Sequence, residues 1–326
     1  MYTLLVLRIL YKKKMNNYEN IPNLDGKVAI VSGANSGTGY GITYHLAKHN
    51  CKVIMASRNE SKLQDARNQL LKELPNAELE IEIVDLTNLD SIKQFCDRIK
   101  SNYKKIHFLV NNAGGGNSKY SKTADGLEST FTINYLGHFA VTTQLLPVLK
   151  DGSRIVTFSS IGYKRFLKNH LDVDNLMCEN SADFNQMQEY CKGKLCSILF
   201  AVKLQKEFER IGLKSMSLSC HPGWARTNLA AQANTFFMRI FNKLFNRVSA
   251  LLRMSHSLYK GALPAIEALI ADSAQPYKVY SPSAKNEMTG IPIPREIDHT
   301  HYKNEDIDRL WFKSQELVGI KVSDYL

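Results

Sequence analysis

The segment Val28-Ala-Ile-Val-Ser-Gly-Ala-Asn-Ser-Gly-Thr-Gly39 joins an apolar run to a cluster of glycines. Val28 to Val31 suits a strand buried on both faces of a parallel sheet, and from Tyr40 to His49 apolar residues recur at helical spacing. Gly33, Gly37 and Gly39 lie in the turn between them, with Ser36 and Thr38 completing it. Glycines in such a turn serve three ends: a tight reversal, close backbone approach to a pyrophosphate, and close packing of helix on strand. The helix N-terminus, with its free N–H groups and dipole, favours an anion there. The spacing is Gly-x3-Gly-x-Gly rather than Gly-x-Gly-x2-Gly. Taken alone, it leaves open the lesser alternative of a glycine-rich turn without a ligand.

A chain of 326 residues with 44% hydrophobic composition has enough apolar surface for a sizeable α/β core. Its net charge of +11 is spread along the sequence, without a long basic block interleaved with aromatics, so nucleic acid is not an expected partner. Cys51, Cys96, Cys178, Cys191, Cys196 and Cys220 show no paired metal-ligand spacing and read as reduced, mostly buried thiols; no metal is expected. Met1 to Leu10 is apolar apart from Arg8 and is followed by Lys12 to Lys14. That run is shorter than the roughly 20 residues a spanning helix needs. Two readings of it stay open, a short interfacial anchor and a disordered extension.

Cys51 to Ser57 reads as the second strand. About 20 residues past the glycines, an NAD site places an acid that bonds the ribose 2′-hydroxyl. Ser57 stands there instead, with Arg58 beside it, a pattern that favours a 2′-phosphate and therefore NADP(H). The alternative is that Arg58 is a solvated residue at a helix entry. Further helices are expected at about 62–73 and 91–99, and further strands at about 79–84 and 106–110. Asp85-Leu86 follows the third strand, where an aspartate ahead of a helix can be its cap. Asn111-Asn112-Ala113-Gly114 ends the fourth strand; its small residues let backbone approach a cofactor, and its asparagines can lock the loop to neighbouring strands. A long helix beginning in Asp125-Gly-Leu-Glu contains Asn134, a mediocre helix former that needs a reason to be there.

Arg154 to Ser160 reads as the fifth strand and delivers Ser159 and Ser160 to the carboxyl end of the sheet, where open α/β sheets place their ligands. Tyr190 and Lys194 are four apart in a helix continuing to about Arg210, so they project from one face. A sixth strand near 214–218 leads into His221-Pro222-Gly223-Trp-Ala-Arg-Thr227. Helices are expected at about 235–253, 258–271 and 306–317, with a short last strand at Lys278 to Tyr280.

In this order, the glycine turn, Asn-Asn-Ala-Gly, Asn134, the serines, Tyr-x3-Lys and Pro-Gly-x3-Thr resemble the short-chain dehydrogenase/reductase family over about residues 24–317. Asn-Tyr-Leu-Gly-His-Phe139 and His-Pro-Gly-x3-Thr227 look like its retinol dehydrogenase branch. The resemblance implies an extension (1–23) before one α/β domain (24–326), a Rossmann-type doubly wound parallel sheet. It also implies a catalytic set of Asn134, Ser160, Tyr190 and Lys194, with Ser159 as the runner-up to Ser160. The cofactor would meet Gly33, Ser36, Gly37, Thr38, Gly39, Ser57, Arg58, Asp85, Leu86, Asn112, Ala113, Gly114, Tyr190, Lys194, Pro222, Gly223 and Thr227. Asp85 would bond its adenine ring rather than cap a helix. Thr38 departs from the usual aliphatic residue, and Gly193 from the small hydroxyl or alanine residue, at their positions.

The implied activity is NADP(H)-dependent interconversion of a lipophilic alcohol and carbonyl, by hydride transfer with Tyr190 as proton donor. Lowering a tyrosine from a pKa near 10 to about 7 takes about 4 kcal/mol, which an ammonium about 4 Å away can supply. Lys194, aided by the oxidised nicotinamide, is the expected source, with Asn134 holding water beyond it. The alternative function is a catalytically silent NADPH-binding sensor or scaffold. The cationic amphipathic pattern of 235–253 suits a lid over the substrate site or peripheral contact with an intracellular membrane by a cytoplasmic protein. The sequence leaves substrate identity, reaction direction and oligomeric state open.

Overall fold

The computed structural model describes residues 21–223 and 257–326. Among them, β1 (Val28–Ser32), β2 (Lys52–Ser57), β3 (Leu79–Ile83), β4 (Phe108–Asn111), β5 (Arg154–Phe158), β6 (Met216–Cys220), β7 (Lys278–Pro282) and β8 (Pro292–Glu296) form one sheet. Its order is β3-β2-β1-β4-β5-β6-β7-β8, and every neighbouring pair is parallel except β7 with β8. The order reverses between β1 and β4, so their following chains leave in opposite directions and open a crevice at the strands' carboxyl ends. The doubly wound parallel sheet is therefore as expected.

The helices are α1 (Gly37–Lys48), α2 (Glu60–Glu73), α3 (Leu89–Asn102), α4 (Ser129–Phe131), α5 (Gly137–Leu145), α6 (Gly162–Phe166), α7 (Gln186–Arg210), α8 (Leu258–Ile270) and α9 (Asn304–Val318). Ile42, Leu63, Leu70 and Ile266 bring α1, α2 and α8 into one core. Phe95, Phe139, Leu199 and Trp311 bring α3, α5, α7 and α9 into the other. With helices on both faces, the central strands are largely apolar rather than alternating; in β1 and β5 only the first residue is not fully buried. Trp311 stacks on Phe200 at 6.0 Å and meets Phe139 edge-on at 5.6 Å, which docks α9 on α5 and α7. All six cysteines are buried and free.

Several boundaries differ from those read in the sequence. Lys278 to Tyr280 extends to Pro282 and is not the last strand, because β8 pairs antiparallel beyond it, with Pro282 opposite Pro292 and Tyr280 opposite Pro294. Prolines argue against a strand unless it lies at an edge, where a missing N–H faces no neighbour. β5 ends at Phe158, leaving Ser159 and Ser160 beyond it. The helix expected from Asp125 starts at Ser129, where the Glu128 carboxylate accepts from the Thr130 and Phe131 N–H groups. No helix of the described residues is long and apolar enough to cross a membrane. The readings for residues 1–14 and 235–253, and Thr227, lie outside the described residues.

Helix α1 and helix α8 touch closely enough that a Cβ on Gly41 would lie 2.6 Å from the Leu258 carbonyl oxygen. By helix propensity Gly41→Ala gains about 1 kcal/mol. We expect the overlap to outweigh that gain and give a net loss of about 1–2 kcal/mol in urea unfolding. A stabilised variant would show that the helices do not meet so closely.

Candidate active site

The turn after β1 is built to receive an anion. Gly33 has φ +67° and donates its N–H to the Ala56 carbonyl at 2.8 Å. A Cβ on Gly39 would overlap the Gly33 carbonyl and lie 2.6 Å from Asn112 Nδ2. Ser36 is the N-cap of α1, extended at φ −165°, and its hydroxyl makes no capping bond. The first-turn N–H groups, which a helix cannot satisfy internally, thus face the crevice without a side-chain cap. Thr38 is buried at the start of the helix and is accommodated without the aliphatic side chain.

The crevice is held by a tie that the sequence reading missed. Ser32 Oγ donates to the Val110 carbonyl and accepts from the N–H groups of Asn112 and Ala113 at 2.9 and 3.0 Å. Asn112 Nδ2 returns a bond to the Ser32 carbonyl at 2.7 Å, and Asn111 Nδ2 bonds Thr142 Oγ1 at 2.8 Å. The asparagines do lock their loop to its neighbours. His138 adds a 2.8 Å bond from Nε2 to the Ala113 carbonyl, and burial holds its pKa down at about 4, so it donates as a neutral ring. The only hint of Ser32 in the sequence was a hydroxyl at the end of an otherwise apolar strand.

At the other side of β1, Ser57 ends β2 and Arg58 is exposed beside it, one residue ahead of Asn59, which caps α2 by accepting from Lys62 N–H at 2.8 Å. Asp85 Oδ1 accepts from the N–H and hydroxyl of Thr87 at 2.9 and 2.7 Å. Asn88, not Asp85, caps α3. Leu86 is buried, its carbonyl packed against Gly137, where a Cβ would overlap it.

Ser160, Tyr190, Lys194, Asn134 and Gly114 come together at the carboxyl ends of β4 and β5. Ser160 neighbours Tyr190 and tempers its pKa, and its Oγ accepts from Gly162 N–H at 3.1 Å. Ser159 Oγ instead donates to the Lys194 carbonyl at 2.8 Å and is buried, so it braces α7 from behind. The Lys194 ammonium lies 5.8 Å from the Tyr190 ring centre, donates to the Phe158 carbonyl at 3.1 Å, and is 4% exposed for the residue as a whole. A Cβ on Gly114 would lie 2.6 Å from Asn134 Oδ1 and 3.1 Å from Lys194 Nζ.

Asn134 sits in a π-helical turn, Thr132–Leu136, between α4 and α5. Its Nδ2 donates to the Gly115 and Thr130 carbonyls at 2.5 and 2.7 Å, and its Oδ1 accepts from Gly115 N–H at 3.3 Å. The amide therefore fastens the Gly114-Gly115 loop, with both Nδ2 hydrogens used and one Oδ1 lone pair left open. Gly193 has a packing reason, since a Cβ there would lie 3.0 Å from Asn134 Cβ.

Charge behaviour differs from the expectation in one respect. Burial raises the Tyr190 pKa above its usual 10.0, and only Ser160 opposes the rise. Burial also lowers Lys194 from 10.5 to about 8. Desolvation of the hydroxyl is the largest cause, so in the protein by itself Tyr190 is protonated at neutral pH.

Beyond β6, Gly223 has φ +67° and lies so close to the Met288 carbonyl that no Cβ fits; its N–H bonds His221 Nδ1 at 3.2 Å. Pro222 shapes the same turn. Among the described residues no group of acidic, histidine or cysteine side chains could hold a metal ion.

Residues 27–168 match the family model for short chain dehydrogenase. The chain is 30% identical over 302 residues to retinol dehydrogenase 12 of Bos taurus, covering 91% of this chain and 88% of that protein. Among solved structures, one of an uncharacterized protein from Mycobacterium paratuberculosis matches with a TM-score of 0.73 and 24% identity, over 94% of this chain and 98% of the other. Another, a single-site variant of the actinorhodin polyketide ketoreductase with NADPH, matches with a TM-score of 0.57 and 24% identity, over 78% and 93%. At these identities the likeness to the two structures is one of fold.

Lys194 permits a test by stability. Its folded pKa of about 8 lies below the unfolded 10.5, so its charge destabilises the fold fully below about 8, and the penalty fades as pH rises toward 10.5. Lys194→Met should therefore be more stable than the parent at pH 7, by about 1–3 kcal/mol, with the gap shrinking at pH 9.5. A less stable variant, or a gap that ignores pH, would contradict the buried ammonium.

Proposed function

The chain belongs to the short-chain dehydrogenase/reductase family, is retinol dehydrogenase-like and is an oxidoreductase, and we propose that it interconverts a lipophilic alcohol and its carbonyl with NADP(H). The observation that carries the proposal is that Ser160, Tyr190 and Lys194 meet in one place, with the ammonium 5.8 Å from the tyrosine ring centre.

The glycine turn and the uncapped helix N-terminus fit a dinucleotide pyrophosphate, because a Cβ at Gly39 would close the space against Asn112. Gly33, Ser36, Gly37, Thr38 and Gly39 would hold that pyrophosphate. Asp85 and Leu86 would border the adenine, and Asn112, Ala113 and Gly114 the middle of the cofactor. Pro222 and Gly223 would border the nicotinamide. Ser57 and Arg58 favour NADP(H), since no carboxylate repels a 2′-phosphate and a guanidinium pairs with its oxygens. The ketoreductase of like fold, solved with NADPH, supports a nicotinamide cofactor in this fold.

When bound, the nicotinamide supplies or accepts the hydride. The protein's part is to orient the carbonyl oxygen and move one proton. Ser160 Oγ and the Tyr190 hydroxyl, neighbours in the site, can both donate to one substrate oxygen. In reduction Tyr190 gives its proton to the developing alkoxide, and Lys194 stabilises the tyrosinate left behind. Because burial keeps Tyr190 protonated, the site is loaded for reduction at neutral pH. Asn134 acts as a positioning residue, holding Gly114-Gly115 against the ammonium.

A lipophilic substrate suits the rim. Phe166, 51% exposed at the end of α6, lies by Gly162 and Ser160, and Met187, 47% exposed, stands in the first turn of α7. Gln188 holds these segments together by accepting from Lys168 N–H and donating to the Phe166 carbonyl at 3.0 and 2.7 Å.

The test is oxidation of NADPH by the purified protein with a panel of retinoid, steroid and fatty-aldehyde carbonyls. Tyr190→Phe should keep the NADPH Kd within about twofold and lose about 100-fold or more in kcat; full turnover by that variant would sink the mechanism. NADPH should bind about ten- to a hundredfold more tightly than NADH, and Arg58→Ala should erase most of that preference. Equal affinities in the parent would remove Arg58 from its role.

A further inference from the structure

A buried charged cluster connects the two sides of the site from below. Its centre is Glu287, in the loop between β7 and β8. The carboxylate accepts from Lys164 Nζ at 3.0 and 3.3 Å and from His221 Nε2 at 2.8 Å. His221 Nδ1 accepts from Gly223 N–H at 3.2 Å. The two contacts fix one tautomer, with the proton on Nε2, so the imidazole is neutral and bridges carboxylate to backbone. The side chains are shielded, with His221 0%, Glu287 14% and Lys164 15% exposed.

The loop is shaped to bring that carboxylate in. Glu287 has φ +56°, a left-handed backbone that a glutamate adopts only when its surroundings hold it there. Its N–H bonds the Ala284 carbonyl at 2.8 Å, and Arg165 Nη2 bonds the Asn286 carbonyl at 2.5 Å. The neighbouring Met288 carbonyl is the atom that excludes a Cβ from Gly223. Lys164 belongs to α6, which starts two residues after Ser160. One carboxylate thus ties the segment following the serine to the turn following β6.

We propose that Glu287 is a positioning residue for the cofactor: through His221 it fixes the Pro222-Gly223 turn against which the nicotinamide end binds, and through Lys164 it references that turn to Ser160. This inference rests on the NADP(H) site proposed above. It separates the cofactor into two ends with different dependence on Glu287. The adenine end meets α1, β2 and the loop after β3, and the hydrogen bonds of Glu287 go to none of these. The nicotinamide end meets the turn that Glu287 holds.

The experiment compares binding of NADPH with that of adenosine 2′,5′-bisphosphate, which carries only the adenine end, by calorimetry alongside thermal unfolding. The variants are Glu287→Asn, in which an uncharged, shorter side chain tolerates left-handed backbone, and Lys164→Met/Glu287→Asn, which leaves no stranded ammonium and carries the test if the single variant does not fold. Both should weaken NADPH by about tenfold, equivalent to about 1.4 kcal/mol, while the Kd for the bisphosphate stays within about twofold of the parent. The proposal is overturned if Glu287→Asn binds NADPH as the parent does, or if both ligands weaken alike, the sign of a general loss of structure. It is also overturned if the double variant recovers the parent affinity, since the effect would then be the unpaired lysine. A parent protein that binds neither ligand would fail the NADP(H) reading itself, a result distinct from all of these.

Discussion

The arrangement depends on keeping a lysine ammonium inside the protein. Lys194 is surrounded by protein on every side, and burial lowers its pKa to about 8, so the fold bears a real cost for its charge. One compensation is the Phe158 carbonyl at the end of β5. Another is the absence of any side chain on Gly114, which lets the loop after β4 close over the ammonium. The Asn134 amide then pins that loop, and the π turn gives the amide its reach into it. Strand end, glycine loop and helix distortion each serve the same buried charge.

Close backbone approach is the second theme. Gly39 lets α1 lie against the Gly33 carbonyl, Gly41 lets α8 lie across α1, and Gly193 lets α7 press on the π turn beside Asn134. Each glycine weakens its own helix. In return, elements distant in sequence meet at separations that a methyl group would forbid, and the crevice at the β1–β4 reversal stays narrow. Ser32 and Asn112 lock that reversal with reciprocal bonds, so the walls of the crevice are set by hydrogen bonds as well as by packing.

The neutral Tyr190 and the depressed Lys194 show how burial acts on charge. Taking the Tyr190 hydroxyl out of water raises its pKa, and taking the Lys194 ammonium out of water lowers that of the lysine. Lowering the tyrosine requires further positive charge, which an oxidised nicotinamide would bring. On that reading the site changes its readiness to take up a proton with the redox state of its cofactor, without any movement of the side chains.

How much was legible in the sequence follows from the range of each signal. The β1 run, the glycine turn and the helix after it are a local pattern in consecutive residues, and the four-residue step from Tyr190 to Lys194 is helix geometry, so both could be read directly. The cysteines read as mostly buried thiols, and all six are buried, even Cys51 and Cys191, whose neighbours are polar. β8 was hidden by its own prolines, which are tolerated only because the strand lies at an edge, and edge position is a property of the whole sheet. What the Ser159 hydroxyl meets depends on where β5 stops and on the Lys194 carbonyl, 35 residues away. The π turn, the occupation of the Asn134 amide and the Glu287 cluster likewise arise from contacts across the chain. Local sequence determined which elements form and which residues share a face. Only the tertiary structure decided which groups lose water and which carbonyls they meet, because desolvation and long-range hydrogen bonding belong to the packed molecule and leave no period in the sequence.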